Sequence, residues 1–373
     1  MRTIHLIARI LVGLVFMFSG FVKGIDPLGM GYRLEDYFYA WGTLWMLPAA
    51  LSLSVLLSTM EFVLGAVVLF NLKPKVNAWL LLGVMLFFTG LTFYDALYNP
   101  VPDCGCFGDA ITLTNWQTFY KNVVLMVPTL VLFFWRNKTD DKYGNLVSYG
   151  SAAGLTALFV MLSIWCYRHL PIIDFMDWKT GNKMYVENPL PVKFYLTYKN
   201  KLTGETQEYL SPDYPFNDSV WMSQWEFVSQ RTEDPNVFKG HDLQILDMEG
   251  NDYTDHFIQN PGYQFLLVSW GLDKANHDAL ARINDFALKA EADGHGFIAL
   301  TSSLPEEIDS LRQQLNLNYE FYQADDITLK TMVRANPGML LMHNGVVLDK
   351  WHYNDFPAYD EFLMKFQPTA SQQ

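Results

Sequence analysis

Two cysteines one residue apart, Cys104 and Cys106, lie in the run Pro102-Asp103-Cys104-Gly105-Cys106-Phe107-Gly108-Asp109. A pair at this spacing closes a disulfide where the backbone brings the α-carbons within the permitted window, and Gly105 supplies the conformational freedom. So small a ring is strained, and strained disulfides are the labile, oxidising kind. Two plainer readings stay open: a pair packed at a helix end, and half of a metal site. Zinc wants four ligands and no other Cys or His is near in sequence, so no metal is assigned. The third cysteine, Cys166, ends a long apolar run. It is either a resolving thiol for the pair or a small hydrophobe. Glu61 and Asp95 also fall inside apolar runs, where an ionisable group is costly and faces the bundle interior. They carry protons to a redox site, or they hydrogen-bond between helices. Lys121 follows the cysteine loop; it either stabilises a thiolate at Cys106 or snorkels to an interface.

The elements that must position these groups are membrane spans. Apolar runs near the ~20 residues needed to cross a bilayer occur at Ile4–Phe21, Leu44–Phe70, Val76–Leu97, Phe119–Trp135 and Leu146–Tyr167. No small-residue cleavage site follows the first, so it reads as an uncleaved span. Leu28–Trp41 is aromatic and amphipathic, and is expected at the interface before the second span. Arg2, Lys73, Lys75, Arg136, Lys138 and Lys142 all fall on one side of a five-span topology, which makes that side cytoplasmic. The loop Asn99–Thr114 has no Lys or Arg and falls outside, together with everything from His169 onward. Lys23 and Arg33 dissent, because they would lie outside too.

Beyond residue 170 the chain changes character. Residues 1–170 hold eleven basic against nine acidic side chains; the remainder holds fifteen against thirty. An acidic, water-soluble half gives no footprint for nucleic acid. Pro171–Asn188 reads as a connector. Val192–Tyr198 and Thr206–Leu210 alternate as strands around Lys201-Leu202-Thr203-Gly204, a hairpin signal. Ser219–Gln230 carries Trp221, Trp225 and Phe227, an aromatic cluster that is either a docking patch or core packing. Strands are then expected at Leu243–Asp247, Gln264–Trp270, Gly296–Ser302, Tyr319–Gln323 and Gly338–His343, the last closing a hairpin with Gly345–Leu348. Helices are expected at Asn276–Ala292 and Pro305–Leu315. The alternation argues for an α/β domain. His343 and His352 have no further ligands nearby and carry no metal assignment.

Two resemblances join these readings. The opening Arg9-Ile10-Leu11-Val12-Gly13 with Phe18-Ser19-Gly20-Phe21-Val22-Lys23 resembles the DoxX family of four-span membrane modules. The later Asp103-Cys104-Gly105-Cys106-Phe107-Gly108 resembles the related MauE family of methylamine-utilisation membrane proteins. The likeness covers about residues 1–136 and implies disulfide handling with a thioredoxin-like partner in the periplasm. The DoxX likeness keeps a quinone open as a partner of Glu61 and Asp95, Glu61 matching an acidic position common in the second helix of that family. Residues 240–366 resemble a thioredoxin fold, with Asn336-Pro337-Gly338 where that family keeps a cis-proline. Yet Trp270 is followed by Gly271-Leu272-Asp273-Lys274, not by Cys-x-x-Cys, and no cysteine follows Cys166. A domain without thiols performs no dithiol exchange, and sharing a fold does not transfer an activity.

The chain is therefore expected to be an α-helical membrane bundle of about five spans followed by a degenerate α/β thioredoxin-like domain. Its segments are 1–136 (membrane module), 137–170 (fifth span), 171–240 (connector, hairpin and aromatic cluster) and 241–373 (soluble domain). The expected setting is a bacterial inner membrane, with the N-terminus cytoplasmic and the soluble domain periplasmic. Cys104 and Cys106 are the expected redox pair, and Trp270, Pro337, Trp221 and Trp225 the expected partner-binding residues. Partners beyond membrane lipid are a separate thioredoxin-like protein or an envelope complex; the alternative function is a non-catalytic scaffold of such a complex.

Overall fold

The computed structural model describes residues 2–139, 143–185, 190–233 and 243–367. Lys142, read above as a flanking charge, and the Asn188 end of the connector lie outside them. The N-terminal half is helical: α1 (Arg2–Ile25), α2 (Pro27–Ala40), α3 (Ala50–Leu69), α4 (Pro74–Tyr98), α5 (Asn115–Trp135) and α6 (Asn145–Arg168). Among the described residues five stretches are long and apolar enough to cross a membrane: Thr3–Ile25, Leu44–Leu69, Pro74–Tyr98, Asn115–Lys138 and Asn145–Arg168.

α1 and α3 meet through small residues. A Cβ on Gly20 would land on the Phe62 backbone, and one on Gly65 would lie 2.5 Å from the Met17 nitrogen. Without a hydrophobic drive between helices in lipid, such close approach supplies the packing, and it aligns the polar side chains of the two helices. α2 is the interfacial helix of the sequence reading, but it turns inward: Tyr37 and Phe38 are buried. Its first turn is fixed by Pro27 at the start and by the Asp26 carboxylate, which accepts the Gly29 N–H at 2.9 Å; both are established helix starters.

The soluble half contains two sheets. The first comprises β1 (Lys193–Asn200), β2 (Thr206–Leu210) and, after the short α7 (Ser219–Gln224), β3 (Trp225–Glu233), in the order β2-β1-β3 and antiparallel throughout. Then come α8 (Thr254–Ile258), β4 (Tyr263–Val268), α9 (His277–Arg282), α10 (Asn284–Ala292), β5 (Gly296–Thr301), α11 (Pro305–Leu315), β6 (Glu320–Gln323), α12 (Asp326–Met332), β7 (Gly338–His343), β8 (Val346–His352) and α13 (Tyr359–Phe366). The second sheet runs β6-β5-β4-β7-β8, with β4, β5 and β6 parallel and β7 and β8 antiparallel to their neighbours. β4 is buried on both faces. Phe265 and Leu267 enter one core with Phe286 and Phe362, while Leu266 and Val268 enter the other with Leu329 and Leu340. That is the period-two alternation of a central strand covered by helices on each side. Asn336–Pro337 is cis and leads into β7.

Three expectations are corrected. Leu243–Asp247 is not a strand: Ile245 N–H goes to Thr254 Oγ1, and the Asp247 carboxylate folds the chain back onto Glu249 and Asn251. Only Leu246 is left to bridge Gln323. Asn276–Ala292 is two helices, broken where Asn284 turns its side chain to the Asn316–Asn318 turn. The connector is not a passive tether, since Trp178 and Met184 lie fully inside the core beside Leu266 and Val268. The packing unit thus reaches back before residue 241.

The soluble domain is clamped to the membrane half by Arg334. Its side chain is 6% exposed, and Nε donates to both oxygens of Asp26 at 3.1 and 2.9 Å. Nη2 donates to Asp109 at 2.5 Å, and Nη1 donates to the Lys330 carbonyl. Burial works against the Arg334 charge, but the Asp26 and Asp109 carboxylates outweigh it and hold its pKa above the ordinary guanidinium value. Beside the clamp, the Tyr32 ring meets Trp270 edge-on at 6.2 Å, with Lys330 Nζ 5.1 Å from the first ring and 4.8 Å from the second. Removing one member of a buried ion pair costs roughly 3–5 kcal/mol, because its partners stay buried without it. Arg334→Ala should therefore raise amide hydrogen exchange in α2 and the cysteine loop while β4 and β5 keep their protection; unchanged exchange in α2 would show that the clamp does not hold the halves together.

Candidate functional site

The cysteine loop joins α4 to α5 and rests on α1 and α2. Gly105 has φ +61° and Gly108 φ +53°, the left-handed region that glycine enters without penalty. The Asp103 carboxylate accepts the Gly105 N–H at 2.9 Å and receives Arg33 Nη2 at 3.0 Å. Cys104 is buried and Cys106 partly buried; both are thiols, with the two sulfurs 2.7 Å apart. The two sulfurs share a proton, and their interaction lowers the Cys106 pKa to about 6 and raises that of Cys104, burial adding to the rise. At Cys106 burial opposes the fall, and the positive charges of Lys121 and Lys23 assist it. Lys121 Nζ stands 4.5 Å from the centre of the Phe107 ring, next to the pair. The pair thus titrates in two separated steps, the lower falling at Cys106. A low-pKa thiol beside cations is the reactive kind.

Directly beneath the loop lies a buried ion pair. Lys23 Nζ donates to Glu61 Oε2 at 2.5 Å, each side chain being 5% exposed. The Ser19 hydroxyl lies 2.7 Å from the same Glu61 oxygen and 2.7 Å from the Cys106 carbonyl. Ser19, Lys23 and Glu61, together with Cys104 and Cys106, line a cavity of about 180 Å³ among α1–α5, whose walls are otherwise mainly apolar. Lys23 was read from the sequence as a loop charge; it is in fact inside α1 and paired, so its dissent from the topology disappears. The signal was present: Ser19 and Lys23 are four residues apart and share a helix face, opposite the one carboxylate of the second span. Arg33 is likewise engaged, with Asp103.

The other singled-out residues are placed as follows. Asp95 is fully buried and accepts the Tyr37 hydroxyl at 2.7 Å, joining α4 to α2, but it does not line the cavity. Cys166 is buried in α6 and does not line it either. Trp270 and the segment leading to Pro337 face the membrane half, Trp270 against Tyr32 and Arg334 on the clamp. Trp221 and Trp225 stack at 5.8 Å in the small sheet, among Tyr198, Tyr209 and Tyr214, and line neither the cavity nor the cleft beside Trp270. Among the described residues no cluster of three His, Cys, Asp or Glu has the geometry of a metal site.

Comparison with known proteins places the membrane half in a family context. Residues 1–135 match the family model described as "Methylamine utilisation protein MauE". A curated relative, "Protein TlpB" of Flavobacterium psychrophilum, is 28% identical over 166 residues, which is 43% of this chain and 41% of the relative. The chain thus spans less than half the length of that relative. A solution structure from Bacteroides thetaiotaomicron, provisionally titled a protein disulfide isomerase, aligns over 35% of this chain and 84% of its own at a TM-score of 0.28 and 13% identity. The chain is therefore a membrane protein with a MauE-like module followed by a thioredoxin-like domain, the latter resting on its own strand order and directions.

The pH behaviour of the pair is checkable. A group whose pKa is lowered stays ionised down to that value, so alkylation of reduced Cys106 by iodoacetamide should hold from neutral pH and fall only below about pH 6. Lys121→Gln removes a favourable charge and should move the midpoint upward. A wild-type midpoint at the ordinary thiol value of 9.0 would contradict the assignment.

Proposed function

We propose that this chain is a membrane thiol-disulfide oxidoreductase component, in which Cys104 and Cys106 cycle between dithiol and disulfide and exchange electrons with a quinone in the bundle. The observation that carries the reading is a pair of sulfurs 2.7 Å apart at the wall of an apolar intramembrane cavity. An apolar cavity of about 150 Å³ accommodates a benzene ring, so about 180 Å³ suits a quinone ring. Phe87 and Trp41 line the cavity and are also exposed at the bundle surface, which supports access from lipid.

The electron count closes. Oxidation of the thiolate–thiol pair forms one S–S bond and releases two electrons and one proton, which a quinone takes up together with one proton from water to become a quinol. The chain's own residues hold the geometry and the protons. Cys106 attacks as the thiolate, and Cys104 gives up its proton as the bond forms. Glu61, held by Lys23 and Ser19 within one residue of the pair, is the group placed to accept and pass on that proton. The Ser19 contact to the Cys106 carbonyl keeps the loop in register with the carboxylate. Asp95, tied to Tyr37 and set back from the cavity, is the weaker candidate for this role.

The setting we propose is a bacterial inner membrane with the thiol loop on the envelope side, where thiols oxidise. Lys73, Lys75, Arg136 and Lys138 flank the spans at the end opposite the loop, which supports a cytoplasmic N-terminus. Protein or peptide thiols from the envelope are the proposed source of electrons.

The test is quinol formation by the purified, reduced full-length protein with a short-chain benzoquinone. Cys104→Ser and Cys106→Ser should abolish it, and Glu61→Gln should slow it by roughly a hundredfold, the lower end of what a positioned acid or base supplies. Undiminished quinol formation by either serine variant would overturn the reading.

A further inference from the structure

On the opposite side of the cysteine loop from the intramembrane cavity lies a second and larger space. It measures about 980 Å³ and separates α2 and the loop's first residues from the soluble domain. Tyr32, Arg33, Glu35 and Pro102 form one wall, and Trp270 to Lys274, Leu304 and α12 form the other. We propose that this cleft receives an extended, cysteine-bearing segment of a client protein, and that the Arg33 side chain is the gate between that segment and Cys104-Gly105-Cys106. The inference rests on the redox reading above and names where its protein substrate binds.

The gate follows from three contacts. Arg33 lines the cleft, and a Cβ added to Gly105 would come within 3.0 Å of Arg33 Cγ, so one side chain separates the cleft from the residue between the two thiols. Its guanidinium reaches Asp103 at 3.0 Å and Asp109 at 3.9 Å, and the side chain is 27% exposed. A partly exposed ion pair of this kind contributes little, so a client can displace it without unfolding the loop. Arg334, in contrast, is locked under the cleft and keeps its two walls together.

The lining selects the ligand class. Charges of both signs are present, but three of the cations are already engaged: Arg334 with Asp26 and Asp109, Lys330 with Asp326, and Arg33 with Asp103. Glu35, Asp36, Asp273 and Glu307 outnumber what remains, which disfavours phosphate or any polyanion. Apolar side chains at the rim stand free of the core: Ile327 is 72% and Leu304 62% exposed. A mixed wall with exposed apolar knobs suits an uncharged backbone and its side chains, and the volume lies at the upper end for ligand sites. The two spaces then divide the work: the client enters from water, the quinone from lipid, and the thiol loop is the partition between them.

In the client step, a client thiolate attacks the Cys104 sulfur of the oxidised pair. The Cys104–Cys106 bond breaks, Cys106 leaves as the thiolate, and a mixed disulfide forms at Cys104. The client's second thiol loses its proton and attacks the client sulfur of that bond, and Cys104 leaves and takes up the proton. The client departs as a disulfide, and its two electrons stay on the dithiol.

The experiment follows reduction of the oxidised full-length protein in nanodiscs by a short unstructured peptide with two cysteines, and separately by dithiothreitol. Ile327→Trp and Leu304→Trp each narrow the cleft from an exposed position. In both variants the ratio of the peptide rate to the dithiothreitol rate should fall about tenfold, equivalent to about 1.4 kcal/mol; Arg33→Ala should raise the peptide rate. An unchanged ratio in both tryptophan variants overturns the cleft as the client site, as does a fall in both rates by the same factor. If the wild-type pair reacts with neither reductant, the redox reading itself fails.

Discussion

A lysine and a glutamate withdrawn from water together set the geometry of this protein. Either alone inside the bundle would be prohibitively costly; paired at 2.5 Å they are tolerated, and the pairing fixes which faces of α1 and α3 must meet. Glycines at the crossing make that contact close enough. The Ser19 hydroxyl then joins the pair to the backbone of Cys106. Thus the thiol loop, with little regular structure of its own, takes its position from a charge pair in the membrane beneath it.

The same economy governs the soluble domain. A thioredoxin-like domain without its cysteines has a surface with no chemistry to perform, and here that surface docks on the membrane half. Trp270 and Lys330 pack on Tyr32, and Arg334 binds both the carboxylate that starts α2 and Asp109, three residues beyond Cys106. The thiols of the chain thus belong to the membrane half, and the soluble domain contributes the docked surface above the cysteine loop.

How much of this was legible in the sequence depended on the range of each interaction. The spans were readable because twenty consecutive apolar side chains have few other solutions, and Glu61 stood out because nothing near it in sequence could neutralise it. The central strands of the soluble domain were readable from their apolar runs, and the position of Pro337 from resemblance. Lys23 was misjudged because its partner is 38 residues away and a lysine near a span end ordinarily reaches for the interface. Arg334, 308 residues from Asp26, left no local signal at all. The short stretch at Leu243–Asp247 failed for a different reason: its alternation was right for a strand, but the Thr254 hydroxyl takes the Ile245 N–H and the turn held by Asp247 ties further backbone groups to Asn251 and Tyr253.

The account makes the cysteine loop a partition between a lipid-facing oxidant and water-facing thiols, and its most direct check is the state of the pair in native membranes. Membranes bearing the wild-type protein can be poised with the quinone pool fully oxidised or fully reduced, quenched with acid, and alkylated. Mass spectrometry of the Cys104–Cys106 peptide should then find the disulfide in the first condition and two alkylated thiols in the second. Two free thiols in both conditions would contradict the account at its centre.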